Sequence, residues 1–272
     1  MSPLVLLSTG AMTRDPLQTD HQEIVRHGPG LGLSGFELGV YAAWYGHLDD
    51  VVSDLRESGL AFPVVHGEKG IGAGLGSADS EEVETALERL ELNCRAAAAL
   101  GAKTLVLHLW EKPDSDRELE RNLGHLPTCL DTAAAYGVTL AIETIPGDAG
   151  TPLANIRLAL ERDSRCRVAL DTEFLGFHGQ LGESVTADWL WEEKFVHHVH
   201  LKDFDGRLRE GNLRRYLLPG EGTLDLQGFL TGLVQREYSG ALTLEATAVD
   251  EEGRLDPERL TKMAAVVIQL AT

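Results

Sequence analysis

Eight short apolar runs alternate with helix-like stretches along a chain of 272 residues, an order that predicts the α/β class and a (β/α)8 TIM barrel. A second observation concerns where the ionisable residues fall. Glu37, His66, His108, Glu143, Asp171, His200 and Glu245 each stand within a residue or two of the end of such a run. In a parallel barrel the carboxyl ends of all strands open on one mouth, so these side chains are expected to converge there. Thirdly, no Pro/Ser-rich linker, charge block or low-complexity tract divides the sequence, and a chain that is 43% hydrophobic can bury a sizeable core. One domain spanning residues 1–272 is the expectation.

The strands are predicted at Leu4 to Ser8, Gly35 to Leu38, Phe62 to His66, Thr104 to Leu109, Val138 to Glu143, Arg167 to Asp171, Phe195 to Leu201 and Ala241 to Glu245. The opening run is too short to span a bilayer and follows no Lys or Arg, so it reads as a first strand and not as a signal or anchor. Helical patterns cover Leu48 to Ser58, Ser80 to Leu100, Asp116 to Tyr136, Pro152 to Glu161, Ser184 to Lys194, Asp225 to Tyr238 and Pro257 to Leu270. Glu81 and Glu82 put negative charge in the first turn of the second of these, as the helix dipole favours. Gly59, Gly101 and Gly137 each follow a helical pattern and precede a strand, the place for a left-handed residue just past a helix end. Between the first two strands, His27-Gly28-Pro29-Gly30 leaves room only for a short helix. The glycines at 70, 72, 74 and 76 match neither phosphate-loop spacing and read as a flexible lid segment. The long, charged loop from Lys202 to Gly222 lies on the predicted catalytic face.

A net charge of −19 repels the phosphate backbone of nucleic acid and an anionic membrane surface, so neither is an expected partner. Cys94, Cys129 and Cys166 include no close pair, which suggests neither a disulfide framework nor a structural zinc site and fits a reducing cytoplasm. A homo-oligomer is compatible with the sequence, which does not set the number of copies.

Glu143, Asp171, His200 and Glu245 close strands five to eight, so three carboxylates and one imidazole are expected to line adjacent sectors of the mouth. Oxygen-rich ligation with one nitrogen suits Mn2+, Mg2+ or Co2+, with Zn2+ left open. Any one of these residues has a bland reading as a hydrogen-bonded strand end. Jointly that reading fails, because unpaired buried charge is expensive. His66 and His108 are candidates for a second metal position or for hydrogen bonds to substrate hydroxyls. Glu37 is a further substrate contact or a group that orients a neighbouring histidine. Tyr41, Trp44, Trp110 and Phe174 offer apolar walls, with Trp110 placed among the substrate-binding candidates. His197 and His198 are expected to pack or to lie at the surface.

The runs His198-Val199-His200-Leu201-Lys202-Asp203, Pro219-Gly220-Glu221-Gly222-Thr223-Leu224-Asp225 and Gly240-Ala241-Leu242-Thr243-Leu244-Glu245 resemble the xylose isomerase-like TIM-barrel superfamily. Ala141-Ile142-Glu143 and Ala169-Leu170-Asp171 match its fifth and sixth strand ends in order. The resemblance implies that Glu143, Asp171, His200 and Glu245 bind one divalent metal. It also implies that Glu143 and Glu245 are the acid/base pair of a sugar isomerase or epimerase acting on a small ketose or polyhydroxy carbonyl compound through an enediolate. A keto-sugar or inosose dehydratase begins with the same proton abstraction. A barrel that binds a sugar without turnover is the non-catalytic alternative. Lys202, Asp203 and Arg207 are placed to hold polar groups of the substrate. Endonuclease IV belongs to the same superfamily, and His66 and His108 resemble two of its additional ligands. However, Phe174 stands where its third metal site needs a histidine, and Gly211 to Tyr216 contain no Asp-x-His. The loop from Ala246 to Gly253 has no glycine-rich phosphate cradle, so an unphosphorylated carbohydrate is the expected substrate.

Overall fold

Alternation along each apolar run sorts its residues between two cores, and that sorting closes the sheet. A computed structural model of the chain describes residues 3–112, 114–211 and 213–272; Asn212, part of the loop compared with endonuclease IV, lies outside them. Strands β1 (Leu4–Ser8), β2 (Phe36–Gly39), β3 (Val64–His66), β4 (Thr104–Leu107), β5 (Thr139–Glu143), β6 (Arg167–Asp171), β7 (Val196–Leu201) and β10 (Ala241–Leu244) run parallel, each paired with its neighbour, and β10 closes on β1. The loop after β7 carries a small antiparallel hairpin of its own, β8 (Arg209–Glu210) with β9 (Leu213–Arg214).

Inside the barrel Leu6, Val64, Val106, Ala141 and Ala169 form a separate apolar cluster, with Ala241 packed against it. Because side chains repeat a face every second residue, the next inward positions are Ser8, His66, His108, Glu143, Asp171 and Thr243, followed by Glu245. An apolar floor therefore carries an ionisable rim. The alternate residues, among them Leu7, Leu38, Val65, Leu107, Ile142, Leu170, Val199 and Leu244, face outward into the larger core beneath the helices.

That outer layer comprises α1 (Gln22–His27), α2 (Leu48–Glu57), α3 (Gly70–Leu75), α4 (Ser80–Leu100), α5 (Leu119–Ala135), α6 (Pro152–Arg162), α7 (Thr172–Phe177), α8 (Leu181–Thr186), α9 (Asp188–Trp191), α10 (Leu226–Gln235) and α11 (Pro257–Ala271). In α4 the buried stripe Ala86, Leu90, Cys94 and Ala97 follows helical spacing, and the N-cap is Asp79, whose carboxylate accepts from Glu81 N at 2.9 Å. Gly59, Gly101 and Gly137 take positive φ of 73°, 79° and 69°, as expected of helix stops.

Two expectations are corrected. The stretch from Ser184 to Lys194 is not one helix, because Ala187 is extended (φ −74°, ψ 92°) and separates α8 from α9. The glycine-rich segment is not a loose lid but α3, and its glycines permit close packing. A Cβ on Gly72 would collide with the His108 carbonyl, and one on Gly74 would lie 2.8 Å from Ala86 Cβ. All three cysteines are free and buried. Among the described residues no helix is long and apolar enough to cross a membrane.

Candidate metal centre and its surroundings

His200 is the hub of the rim. Its Nδ1 lies 2.8 Å from Glu143 Oε1, 3.9 Å from Asp171 Oδ2 and 3.8 Å from Glu245 Oε2. One donor atom from each of Glu143, Asp171, His200 and Glu245 falls within 4.8 Å of the others, and all four residues are buried. Donors on opposite sides of a cation at about 2.4 Å are about 4.8 Å apart, so one coordination sphere can include them.

The electrostatics fit a cation. Burial and the Glu143, Glu245 and Glu173 carboxylates, opposed by Lys202, push Asp171 up to about 7. Its Oδ2 makes no aligned hydrogen bond although Lys202 Nζ is 2.7 Å away. Lys202 also pairs with Glu245, and Glu173 pairs in turn with Arg214. The buried ammonium thus balances part of a carboxylate excess that an ion would balance more fully. A further fit lies at His66. Its Nδ1 donates to the Gly67 carbonyl at 2.8 Å, which turns Nε2 toward Glu143 Oε2 at 3.1 Å. Two acceptor atoms so placed need a proton or a cation between them. His66, Glu143 and His200 form a second group of converging donors.

Behind the rim, Glu37 and His198 brace His200. Glu37 pairs in register with floor residue Val64, and His198 with Ala169 and Ala241, so both stand one inward position below the rim. Glu37 Oε1 lies 2.8 Å from His200 Nε2, and Oε2 lies 2.6 Å from His198 Nε2. Burial raises the proton affinity of Glu37, but His200 and His198 outweigh it and hold the carboxyl well below the usual range. A carboxylate on one imidazole nitrogen leaves the other aimed at the metal position. On the opposite side His108 sits between Glu143 Oε2 and Glu111 Oε2, at 2.6 Å from each, and these acids overcome burial to push it up to about 9.

The structure therefore brings Glu143, Asp171, His200, Glu245, His66 and His108 together and adds Lys202 to them. Four other candidates go elsewhere. Glu37 is only 1% exposed and faces histidines, not the open cleft. Trp110 is fully buried, its indole N–H donating to the Pro146 carbonyl at 3.3 Å. Asp203 turns under its own loop, accepting from the backbone of Phe204, Gly220, Gly222 and Leu224 at 2.8–3.0 Å. Arg207 is exposed and pairs with Asp205 at 3.2 Å. Of the aromatic candidates, Tyr41 lines the cleft, Trp44 is in the core, and Phe174 lies under Lys202, whose Nζ is 4.6 Å from the ring centroid. Sequence reasoning missed Glu111, Glu173 and the bracing role of His198. The strand period of two, which puts His198 on the same face as His200, is the signal in the sequence that points to it.

Fold and site together define a (β/α)8 barrel with a candidate metal centre at its mouth. The chain belongs to the xylose isomerase-like TIM barrel family, whose profile matches residues 30–266. No curated protein matches the sequence. Similar solved structures include D-allulose 3-epimerase from Methylomonas sp. in complex with D-allulose (18% identity, TM-score 0.73, 100% of this chain and 98% of that one). Another is apo 3-keto-D-glucoside 4-epimerase from E. coli, at 19% identity and TM-score 0.70 over 98% of this chain and 100% of that one. D-psicose 3-epimerase from Clostridium cellulolyticum H10, with D-tagatose, shares 14% identity at TM-score 0.72 over 98% and 97% of the two chains.

Proposed function

We propose that the protein is a metal-dependent isomerase or epimerase of a small ketose or related polyhydroxy carbonyl compound, with Glu143 and Glu245 as the groups that move the proton. The observation that carries this reading is the buried set of three carboxylates and one imidazole, with a cleft that reaches Glu245 and His66. The similar structures, epimerases of allulose, psicose and a keto-glucoside, support it.

Glu143, Asp171, His200 and Glu245 would hold one Mn2+, Mg2+ or Co2+, or Zn2+, and the His66 group offers room for a second. A divalent ion there supplies Lewis-acid stabilisation of negative charge developing on substrate oxygens, worth several kcal/mol. The residues do the rest. Glu245 is 9% exposed at the cleft and takes or returns a proton from above, while Glu143, at 1%, works from the deeper side. Burial raises the proton affinity of Glu143, but His200 and His108 outweigh it, and at Glu245 Lys202 and His200 likewise outweigh burial, so both carboxyls are held below the usual range and either can take the first proton. Exclusion of water by the buried rim strengthens each of these interactions.

Incubation of the metal-loaded protein with a panel of ketoses in D2O, followed by NMR, tests the reading. Deuterium entering the carbon beside the carbonyl, with appearance of the epimer or isomer, is the expected result. Loss of water without an epimer would replace isomerisation by elimination. Binding of a ketose with no exchange would make the barrel a binding module.

A further inference from the structure

Beyond the rim the cleft is a cavity of about 250 Å³, the size for one small molecule. Its wall is unlike the rest of the chain. Against an overall charge of −19 it gathers Arg14, Lys69, Arg209 and Arg214, facing Asp15, Glu68 and Glu245.

Several of these charges are committed. Arg214 pairs with Glu173, and Glu245 with Lys202. Glu68 accepts from Gly70 N at 2.6 Å and lies 3.5 Å from Arg89. Arg14 and Lys69 are different, because among the described residues neither is paired with a carboxylate. Arg14 is nevertheless fixed. It donates from Nη1 to the Val249 carbonyl at 2.9 Å and from Nη2 to the Arg214 carbonyl at 2.8 Å, which ties together the loops after β1, β7 and β10. These bonds hold the guanidinium in place without neutralising it, and three of its five N–H groups remain for a ligand. Lys69, in the loop after β3, is exposed and lines the same cleft. Crowding around the ammonium at the cleft wall opposes its charge, yet Tyr216, Glu245 and Glu143 outweigh that and raise its proton affinity above the usual lysine range.

We propose that this wall is a subsite for an anionic group, so that the substrate is a polyhydroxy carbonyl compound bearing a carboxylate or a phosphate gripped by Arg14 and Lys69 while its carbonyl end lies at Glu245. The inference rests on the isomerase reading and names its substrate class. A phosphate in this subsite would revise the expectation of an unphosphorylated carbohydrate, whereas a carboxylate would not. The loop after β10 lacks a backbone cradle, but an anion here is held by side-chain charge instead.

The test compares a neutral ketohexose, the corresponding keto-uronate and the ketose 6-phosphate. Binding is measured by calorimetry and deuterium exchange by NMR, for the wild type, Arg14→Met, Lys69→Met and Arg14→Lys. At least one anionic compound should bind about tenfold more tightly than the neutral one, and that advantage should fall about tenfold in each methionine variant. Arg14→Lys should recover part of it, and added NaCl should weaken only the anionic compound. Preference between carboxylate and phosphate identifies the group. Equal binding of all three, or an anion preference that survives both methionine variants, would overturn the subsite while leaving isomerisation intact. Anion-selective binding that Arg14→Met abolishes, with no exchange into any compound, would support the subsite and sink the isomerase reading.

Discussion

Replacing Glu37 by Gln should weaken metal binding without any change in a proposed ligand. The carboxylate is buried and, among the described residues, its ion-pair partners are two imidazoles, His200 at 2.8 Å and His198 at 2.6 Å. Gln keeps the shape and one acceptor oxygen but loses the charge, and its amide N–H2 then faces a second N–H or a lone pair. Partners of this kind on a metal-bound histidine are worth about 10–100-fold in affinity, which at about 1.36 kcal/mol per factor of ten is about 1.4–2.7 kcal/mol. The assay is competitive titration of the metal-free protein with Mn2+ against a fluorescent chelator, with urea unfolding to verify the fold. Glu37→Asp, which keeps the charge on a shorter arm, should fall between wild type and Gln. A folded Glu37→Gln protein that binds Mn2+ within about twofold of wild type would show that Glu37 does not set the His200 ligand.

Three further perturbations follow from the same contacts. Lys202→Met strips the ammonium from Asp171 and Glu245, so the metal-free protein should lose about 3–5 kcal/mol in urea unfolding, and Mn2+ should restore more stability to the variant than to wild type. Equal metal stabilisation of both proteins would contradict this. Gly72→Ala should cost about 1–3 kcal/mol, despite the better helix propensity of Ala, because the added methyl meets the His108 carbonyl. A neutral or stabilising result would show that α3 can shift. At Asp116, burial raises the proton affinity, but backbone N–H groups of Ala149, Gly150 and Asp148 and the Asn155 amide hold it at about 2. The stability this depressed carboxyl contributes is complete above its unfolded value near about 3.9 and is lost as pH falls through about 2. Asp116→Asn should therefore lie about 2 kcal/mol below wild type from pH 7 to about 5, the gap closing on acidification in pH-dependent denaturation curves. A gap unchanged down to pH 2.5 would rule the carboxylate out as its source.

The rim was legible because its chemistry lies at strand ends. His66, His108, Glu143 and Asp171 each follow an apolar floor residue by two positions, and a period of two is visible in sequence. Direction within the loops was not legible. Lys202 and Asp203 are adjacent, yet Lys202 turns into the barrel while Asp203 is captured by backbone N–H groups up to 21 residues away. Height was also hidden. Glu37 sits at a strand end like the others, but its pairing with Val64 places it beneath His200, where it braces a ligand instead of meeting substrate. For α3, four glycines suggested mobility, whereas their lack of side chains admits the helix between His108 and Ala86.

An anomalous difference map from a crystal soaked in Mn2+ would test the metal centre most directly. The expected result is a strong peak about 2.0–2.4 Å from Glu143, Asp171, His200 Nδ1 and Glu245, with Lys202 displaced from Asp171. An ordered barrel with no peak there at saturating Mn2+, its four side chains still bound to Lys202 and the neighbouring histidines, would contradict it.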